Sequence, residues 1–442
     1  MSGNPLLQAL ARPKFGTGPA LPRLEFVARE LAQVPWPHNG HTLHVTGSQG
    51  KGSVTMLTAA LFDALGISCG RFLSPHLFDV SERLWIAGRP VDAAALAQAA
   101  RAFAAQEENY LANHPGSSFG AFEALTALAF NAFAAARIEA AVIEAGIGGR
   151  HDATRAAGGA VVALTGIDLE HTALLGTHRE DILEDKADLC PPRGIVVAGT
   201  LSPSLRAHLD RYAATRGFRA EHCEASCTVT TRRHTLRGAV ADLNVDDVHI
   251  DGVETRLFGT VQLQNAALAL LAVKRWLERF DRWPGATAFA AAARTMLAGT
   301  ALPLRFEIMG EDPLTIGDVA HTAAALHALT QTLKDVCGAE RAVFLIGVSS
   351  DKSAERLLQA LQGTAAAFVF TRARHRGRDP DDLARLTPHT PTLVDADCTR
   401  ALALAQAEAR RRRCPLVVTG SVFLAAEIKT IAAGHDPAAL KF

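Results

Sequence analysis

The sequence carries no excess of charge of either sign, because 45 lysine and arginine residues balance 45 aspartate and glutamate residues. A neutral chain gives no reason to expect a nucleic acid or a membrane surface as a general partner. The sequence also has no uninterrupted apolar run long enough to span a bilayer, and residues 1–22 lack the apolar segment of a signal peptide. We therefore expect a cytoplasmic protein with neither nucleic-acid nor membrane partners.

Cysteine and histidine form no metal-binding pattern in this sequence. The seven cysteines are dispersed and odd in number, and the closest pair, Cys223 and Cys227, lacks the spacing of a zinc knuckle. Free thiols in a reducing compartment are the simpler interpretation. His38, His41 and His44 recur every third residue, but they approach a predicted strand, where this spacing does not gather side chains on one face.

The sequence does contain a large apolar fraction, arranged in alternating strands and helices. With 442 residues and 48% hydrophobic residues, the chain is long enough for two domains with buried cores. From residue 42 to about 198, helical stretches such as residues 122–137 separate short apolar strands at residues 140–144, 160–165 and 195–198. This alternation predicts a mostly parallel, doubly wound sheet with helices on both faces.

An antiparallel region is predicted after the first alternating unit. Residues 227–258 are polar and strand-like, and Asp251-Gly252 is the predicted hairpin turn. Residues 264–280 return to an apolar helix, and residues 297–303 contain Gly and Pro in the manner of a linker.

A second alternating unit follows this linker. Its predicted strands are residues 314–317, 342–346, 367–371 and 416–419, and its helices include residues 401–413. We therefore predict an α/β protein of two domains, residues 1–298 and residues 299–442, in which the second domain is Rossmann-like.

Residues 47–53 form a glycine-rich turn between a predicted strand and an apolar helix. Such a turn directs backbone N–H groups at phosphate oxygens, and the helix N-terminus adds partial positive charge. Lys51 would reach the terminal phosphates and Ser53 would lie near a magnesium ion, although Gly52 separates them here and the common P-loop has Ser or Thr directly after Lys. The pattern predicts a P-loop ATPase domain that binds ATP or GTP through Gly47, Ser48, Gln49, Gly50, Lys51, Gly52 and Ser53.

Polar groups also end two successive strands of the first predicted sheet. Glu144 follows one apolar strand and is succeeded by glycines, and His171 lies in the turn after the next strand. Ligands of doubly wound sheets bind outside the carboxyl ends of the strands. Each residue alone could be a polar strand cap, but together they indicate a magnesium site beside the phosphate loop.

A series of ordered motifs resembles the folylpolyglutamate synthases and dihydrofolate synthases of the Mur ligase superfamily, from about residue 23 to the end of the chain. The motifs are residues 47–53, Leu73-Ser74-Pro75-His76-Leu77, Glu82-Arg83, residues 144–152, Glu170-His171-Thr172, Asp185-Lys186-Ala187, residues 262–266, Arg305-Phe306-Glu307, residues 318–321 and Thr419-Gly420-Ser421.

The resemblance implies an ATP-dependent ligase that joins the amine of L-glutamate to a folate carboxylate through an acyl phosphate. The acceptor that the resemblance implies is tetrahydrofolate, and dihydropteroate is a second acceptor of the same family. The resemblance also implies two Mg²⁺ sites and a monomer. Positioned cations matter most in such a reaction, because charge develops on phosphoryl oxygens.

The resemblance further assigns roles to individual residues. Lys51, His171 and Lys186 are implied in catalysis, and the implied ligands of one Mg²⁺ are Ser74, Glu144 and His171. The implied nucleotide contacts outside the loop are Asn265, Arg305 and Asp318, of which the last two come from the second domain. The implied substrate contacts are Phe122, Glu123, Arg150, His151 and Asp152, together with His321 and Ser421 for the incoming glutamate.

Lys186 resembles a lysine that the family carbamylates. Addition of carbon dioxide turns the ammonium into an anion, which could hold or orient a second Mg²⁺. From the residues alone, Lys186 stands among Glu184, Asp185 and Asp188, and an ordinary ion pair is the alternative.

The sequence departs from the family pattern mainly where substrates should bind. Gly120 and Ala121 stand where the family has a threonine and an aromatic residue, and Val319 stands where it has glycine. These departures leave two alternatives open: the same ligation on a non-folate carboxylate, or a nucleotide-binding regulator without ligase activity.

Overall fold

The computed structural model describes residues 3–31, 34, 36, 40–350 and 352–442, so His38 of the predicted triplet lies outside the described residues. In the described part of the chain, the strands form three sheets, and helices cover the faces of the two larger ones. Within the same residues, no helix is both long enough and apolar enough to cross a bilayer.

The first sheet has the strand order β4-β3-β2-β5-β1-β6-β7-β8. Strands β2, β5, β1, β6, β7 and β8 pair in parallel, whereas β3 and β4 add an antiparallel edge. The strands are β1 (Thr42–Thr46), β2 (Cys69–Phe72), β3 (Leu84–Ile86), β4 (Arg89–Pro90), β5 (Ala140–Glu144), β6 (Gly159–Leu164), β7 (Ile195–Ala198) and β8 (Arg219–His222). The central strands β1 and β5 are buried along their whole length, which explains the apolar run of β5 up to its final glutamate.

Helices connect these strands and pack against the sheet. They are α1 (Pro5–Leu10), α2 (Ala20–Glu30), α3 (Lys51–Ala64), α4 (Ala93–Asn113), α5 (Ala121–Ala136), α6 (Thr172–Leu175), α7 (Arg179–Ala187), α8 (Pro203–Arg216), α9 (Cys223–Ser226), α10 (Gly259–Arg279) and α11 (Ala286–Gly299). The predicted doubly wound arrangement of the first part is therefore confirmed.

The second sheet is a three-stranded antiparallel meander of β9 (Cys227–Thr235), β10 (Gly238–Val245) and β11 (Val248–Thr255). The predicted hairpin turn at Asp251-Gly252 is wrong, because both residues lie inside β11. The turn is made by residues 246–247, since Val245 pairs with Val248. Gly252, at φ 59°, lies at the shift in register opposite Asp242, whose carboxylate accepts a hydrogen bond from the Gly252 N–H at 2.6 Å.

The third sheet, in the order β12-β13-β17-β14-β15-β16, confirms the second alternating unit. Its strands are parallel except for β12, and they are β12 (Glu307–Glu311), β13 (Leu314–Gly317), β14 (Ala342–Ile346), β15 (Ala365–Phe370), β16 (Thr392–Val394) and β17 (Leu416–Thr419). The helices of this part are α12 (Ala323–Cys337), α13 (Ala354–Leu361), α14 (Pro380–Ala384), α15 (Cys398–Arg412) and α16 (Val422–Ala432).

The predicted linker begins too early, because α11 continues to Gly299 and Leu297 is fully buried in it. The division at residues 298/299 stays a prediction. The two parts are in close contact where α10 approaches α12. Gly259 has φ 77° there, and a methyl group in its place would lie 2.2 Å from the hydroxyl oxygen of Thr332, so only glycine allows this approach.

Candidate active site

The glycine-rich turn connects β1 to α3, and the helix begins at Lys51 as the loop pattern predicts. Gly50 precedes the helix at φ 82°, and Gly47 has φ 136°. A methyl group on Gly47 would lie 2.0 Å from the hydroxyl oxygen of Thr165, which follows β6. The loop is also held by Ser48, whose N–H donates to the Gly166 carbonyl at 2.8 Å. Its backbone is therefore fixed against the next strand before any ligand binds.

Buried oxygen atoms beside this loop suit a magnesium ion. Ser53 is 1% exposed, and its hydroxyl has no hydrogen-bond partner among the described residues. Glu144 is buried at the end of β5, where its carboxylate accepts a hydrogen bond from the Ser74 N–H at 3.2 Å. Burial raises the pKa of Glu144 to about 7, although the Lys51 charge opposes this shift. A divalent cation would satisfy both oxygen groups and favour the charged carboxylate.

Ser74 is placed next to Glu144 by a loop that Glu82 organises. The Glu82 carboxylate accepts hydrogen bonds from the backbone N–H groups of Leu77, Phe78 and Asp79, each at 2.8 Å. Arg83 donates from Nε to Nδ1 of the fully buried His76 at 2.8 Å. The Glu82-Arg83 motif therefore positions the loop that carries Ser74.

His171 differs from the other predicted magnesium ligands because it is exposed. It has a left-handed backbone at φ 47° and precedes the four-residue helix α6. Partial burial lowers the pKa of its imidazole, and the Glu170 charge opposes this shift. Within the described residues, no group of three or more His, Cys, Asp or Glu side chains is placed to hold a metal. Its role at a metal stays a prediction.

Lys186 is 1% exposed and lies beside the phosphate loop. Its ammonium is 2.9 Å from a carboxylate oxygen of Glu170 and donates to the Gly47 carbonyl at 3.1 Å. Lys51 donates to that same carbonyl at 2.9 Å. Burial and the nearby Lys51 charge lower the pKa of Lys186, while Glu170 acts in the opposite direction.

The predicted ion-pair partners of Lys186 are engaged elsewhere. Glu184 contacts His208 at 2.8 Å, and Asp188 pairs with Arg150 and Arg216. Asp185 accepts a hydrogen bond from the Gly149 N–H at 2.8 Å, which holds the loop after β5. The structure therefore has an ordinary ion pair at Lys186, as the alternative to carbamylation expects, but the partner is Glu170 and not one of these three neighbours.

In the second part of the chain, Arg305 lies between two residues of unusual backbone. Leu304 and Phe306 have φ values of 54° and 56°, in the region that side chains disfavour. Asp318, directly after β13, stabilises this turn because its carboxylate accepts hydrogen bonds from the Phe306 N–H at 2.8 Å and the Ala320 N–H at 2.7 Å. The Asp318 carboxylate therefore positions Arg305.

The two parts of the chain meet at the phosphate loop. A methyl group on Gly52 would lie 3.8 Å from Oε2 of Glu144 and 3.9 Å from Nη2 of Arg305. Gln49 donates from its side-chain nitrogen to the hydroxyl of Thr322, the N-cap of α12, at 2.5 Å. Asn265 of α10 faces Gly50, where a methyl group would lie 2.9 Å from its Oδ1. The structure therefore brings the predicted residues of both parts together around one loop.

Several predicted substrate residues are engaged in structural contacts. The buried Glu123 pairs with the buried Arg23 of α2, at 2.5 Å between Oε2 and Nε. Asp152 accepts hydrogen bonds from the N–H groups of Gly146 and Ile147 at 2.9 and 3.0 Å. The substrate roles of Glu123 and Asp152 stay predictions.

The other predicted substrate residues differ in their exposure and in the contacts that they form. Arg150 pairs with Asp188 at 2.7 Å, whereas His151 is exposed and Phe122 is half-buried. His321 contacts the Val319 carbonyl at 2.8 Å through Nδ1, and the buried Ser421 contacts Ser349 at 3.3 Å between hydroxyl oxygens. Their substrate roles stay predictions.

Glu170, Glu82 and Thr322 form the main contacts that sequence reasoning missed. Glu170 and Glu82 both stood inside recognised motifs, which was the available signal. Thr322 carried none, because its contact with Gln49 joins residues 273 positions apart.

Comparison with known proteins finds one matching domain family and several relatives of this chain. Residues 304–422 match the family of the Mur ligase glutamate ligase domain. The chain is 31% identical over 343 residues to the dihydrofolate synthase/folylpolyglutamate synthase of Mycobacterium tuberculosis, covering 75% of this chain and 70% of that protein. The solved structure of Mycobacterium tuberculosis folylpolyglutamate synthase complexed with ADP has a TM-score of 0.84 at 28% identity, covering 98% of this chain and 99% of that one.

A longer relative shares the same region. The "probable bifunctional folylpolyglutamate synthase/dihydropteroate synthase" of Haloferax volcanii is 32% identical over 432 residues, which cover 92% of this chain and 48% of that protein. The chain therefore spans about half the length of this relative.

Proposed function

The chain belongs to the folylpolyglutamate synthase/dihydrofolate synthase family, and from this membership we propose that it is an ATP-dependent ligase that joins L-glutamate to a folate. Tetrahydrofolate is the proposed acceptor, with dihydropteroate as a second one. The observation that carries the proposal is the phosphate loop with Lys51, Ser53 and Glu144, to which the second part of the chain brings Arg305.

The loop amides and Lys51 would bind the ATP phosphates at the N-terminus of α3. Ser53, Ser74, Glu144 and His171 would hold Mg²⁺, which neutralises phosphate charge when bound. Arg305 would reach the nucleotide from the opposite side and stabilise charge on the transferred phosphoryl group. The acceptor carboxylate attacks the γ-phosphate and ADP leaves. The glutamate amine then attacks the acyl carbon, and phosphate leaves with the loss of one proton from the amine.

We also propose that Lys186 is carbamylated and contributes to a second Mg²⁺ site. Carbon dioxide adds to a neutral amine, forming an N–C bond with the loss of one proton. The lowered pKa of the buried Lys186 increases the neutral fraction that this step needs. A carbamate would also remove one of two adjacent lysine charges beside Gly47.

His321 and Ser421 are the proposed contacts of L-glutamate, and a cytoplasmic monomer is the proposed state of the protein. One observation favours the alternative of a non-folate carboxylate acceptor. A methyl group on Gly120 would lie 2.5 Å from the Gly16 nitrogen and 2.7 Å from the Phe15 carbonyl carbon. The packing of this N-terminal segment therefore excludes the threonine that the family pattern has at this position.

Phosphate release by the purified protein with Mg-ATP and L-glutamate tests the proposal. The reactions would contain tetrahydrofolate, dihydropteroate or no acceptor, with product masses measured and Lys51→Ala as the inactive control. Release that needs a folate and gives a product heavier by one glutamate supports the proposal. ATP binding without folate-dependent turnover contradicts it and favours another carboxylate acceptor or a regulator without ligase activity.

A further inference from the structure

A cavity of about 140 Å³ lies on α3, away from the phosphate loop. Its polar lining includes Asp63 of α3, Arg71 of β2 and Trp85 of β3. Its remaining wall is mainly small and apolar, with Ala59 and Ala60 among the contributing residues. No role assigned above uses this cavity.

The Arg71 side chain in the cavity wall forms no close ion pair among the described residues. It is 8% exposed, and its one hydrogen bond is a long contact of 3.5 Å from Nη2 to the Glu82 carbonyl. Its Nε is buried without any partner among the described residues, and the guanidinium stacks on Trp85 at 4.2 Å from the ring centre. Buried charges are normally paired or fully hydrogen-bonded, so this guanidinium has unused capacity for an anion.

The other polar groups of the cavity complement Arg71. The indole N–H of Trp85 is a second buried donor without an acceptor among the described residues. Asp63 supplies a carboxylate at the exposed rim, where burial raises its pKa to about 6 and the Arg71 charge opposes this shift. The cavity thus offers hydrogen-bond donors from β2 and β3 and an acceptor from α3, and small apolar side chains of α3 form part of its wall.

We propose that this cavity binds a small α-amino acid with a short apolar side chain. Its carboxylate would accept hydrogen bonds from Arg71 and Trp85, and its ammonium would donate to Asp63. The site is distinct from the proposed glutamate contacts His321 and Ser421, which belong to the second part of the chain.

The location would connect such a ligand to both parts of the molecule. Ala59 and Ala60 lie about two turns along the helix that begins at Lys51. Thr300, which also lines the cavity, directly follows α11 on the way to the second part. A bound amino acid would therefore contact the nucleotide-loop helix and the connection between the two parts.

Calorimetric titration of the full chain with L-alanine and with acetate tests the proposal. Both probes should bind the unchanged protein, and Arg71→Met should weaken each by about tenfold or more, because both use the guanidinium. Asp63→Asn should weaken L-alanine but should not weaken acetate, since only alanine carries an ammonium and Asp63 repels any carboxylate at Arg71. The exposed positions Arg101→Met and Asp281→Asn are matched controls that should change neither titration.

Trp85→Phe keeps an aromatic ring beside Arg71 and removes only the N–H, so it keeps the test valid if Arg71→Met does not fold. It should weaken both probes several-fold. Absence of L-alanine binding to the unchanged protein would overturn the proposal. Alanine binding of equal strength in the Asp63→Asn protein would also overturn it, because the amino acid would then occupy a different site, such as the proposed glutamate site.

Discussion

Substitution of Lys186 distinguishes a carbamate at this side chain from an ordinary ammonium. Lys186→Arg keeps a positive charge beside Glu170 but cannot form the same carbamate, so we expect ligation to fall about a hundredfold or more while ATP binding remains. Lys186→Ala should behave in the same way. Phosphate release and ATP calorimetry measure the two effects, with the exposed Lys334→Arg as control. Full activity of Lys186→Arg would contradict the carbamate.

His44 should make the protein sensitive to acid. It is fully buried in β1, its Nε2–H donates to the Thr154 carbonyl at 3.0 Å, and burial lowers its pKa from 6.5 to about 4. Between these values the unfolded chain binds the proton and the folded chain does not, so stability falls as the pH drops from 6.5 towards 4. The loss should be roughly 3 kcal/mol.

Urea unfolding at pH 7 and pH 4.5 measures this loss. His44→Gln keeps a donor for Thr154 without a titrating ring, so it should lose less stability over the same interval. The exposed His389→Gln should keep the acid sensitivity of the unchanged protein. Equal pH dependence of His44→Gln and the unchanged protein would contradict the assignment.

Single residues also differ in whether their place in the site could be predicted from the sequence. Lys51, Glu144 and Arg305 could be placed in the site because each stands in a local motif with a recognisable order. The sequence could not identify Glu170 as the ion-pair partner of Lys186, because three carboxylates lie nearer to Lys186 in the sequence and carry the same charge. The fold directs Glu184, Asp185 and Asp188 to other partners, and only the tertiary structure fixes that choice.

At the scale of an element, we expect substitution of two glycines of the phosphate loop by alanine to have opposite effects on the free energy of unfolding. Gly47→Ala places a methyl group 2.0 Å from Thr165 at φ 136° and should reduce the unfolding free energy by about 2 kcal/mol or more. Gly52 lies in α3 without positive φ, so Gly52→Ala should leave stability unchanged or raise it by up to about 1 kcal/mol. Thermal unfolding of both variants checks this, and equal destabilisation would contradict it.

The central strands of both large sheets, such as β5, β6 and β14, could be predicted because continuous burial leaves a continuous apolar run, whereas the edge strands β3, β4, β8, β12 and β16 lack such a run and were not predicted. The hairpin at the second sheet could not, because Asp-Gly is a signal both for a tight turn and for a bulge. The Asp242 carboxylate binds the Gly252 N–H and stabilises the bulge, which leaves the turn to residues 246–247. That contact joins different strands, so local sequence does not reveal it.

At the scale of the whole molecule, Gln49 should couple nucleotide binding to the second part of the chain. Its side chain reaches Thr322, and Gln49→Ala removes this contact without adding bulk to the loop. We expect ATP to protect residues 318–326 from hydrogen exchange in the unchanged protein, and this protection to be weaker in Gln49→Ala. The exposed Gln359→Ala is the matched control. Unchanged protection in Gln49→Ala would contradict the coupling.

The meeting of the two parts was predicted only through family resemblance. Strand order indicates which residues lie at one edge of one sheet, but it carries no information about how a second sheet faces that edge. The approach of Arg305 to Gly52 depends on the left-handed turn at Leu304 and Phe306, and neither residue is a glycine or asparagine that would have signalled it.

The carbonyl oxygen of Gly47 accepts hydrogen bonds from two lysine side chains, which use both of its lone pairs. Departure of Lys51 to a phosphate, or carbamylation of Lys186, would each release one of them and strengthen the C=O bond. The stretching vibration of this single peptide group should then move to higher frequency. Carbon-13 placed at Gly47 would make an infrared band that records, in one bond, both the arrival of the nucleotide and the chemical state of the second lysine.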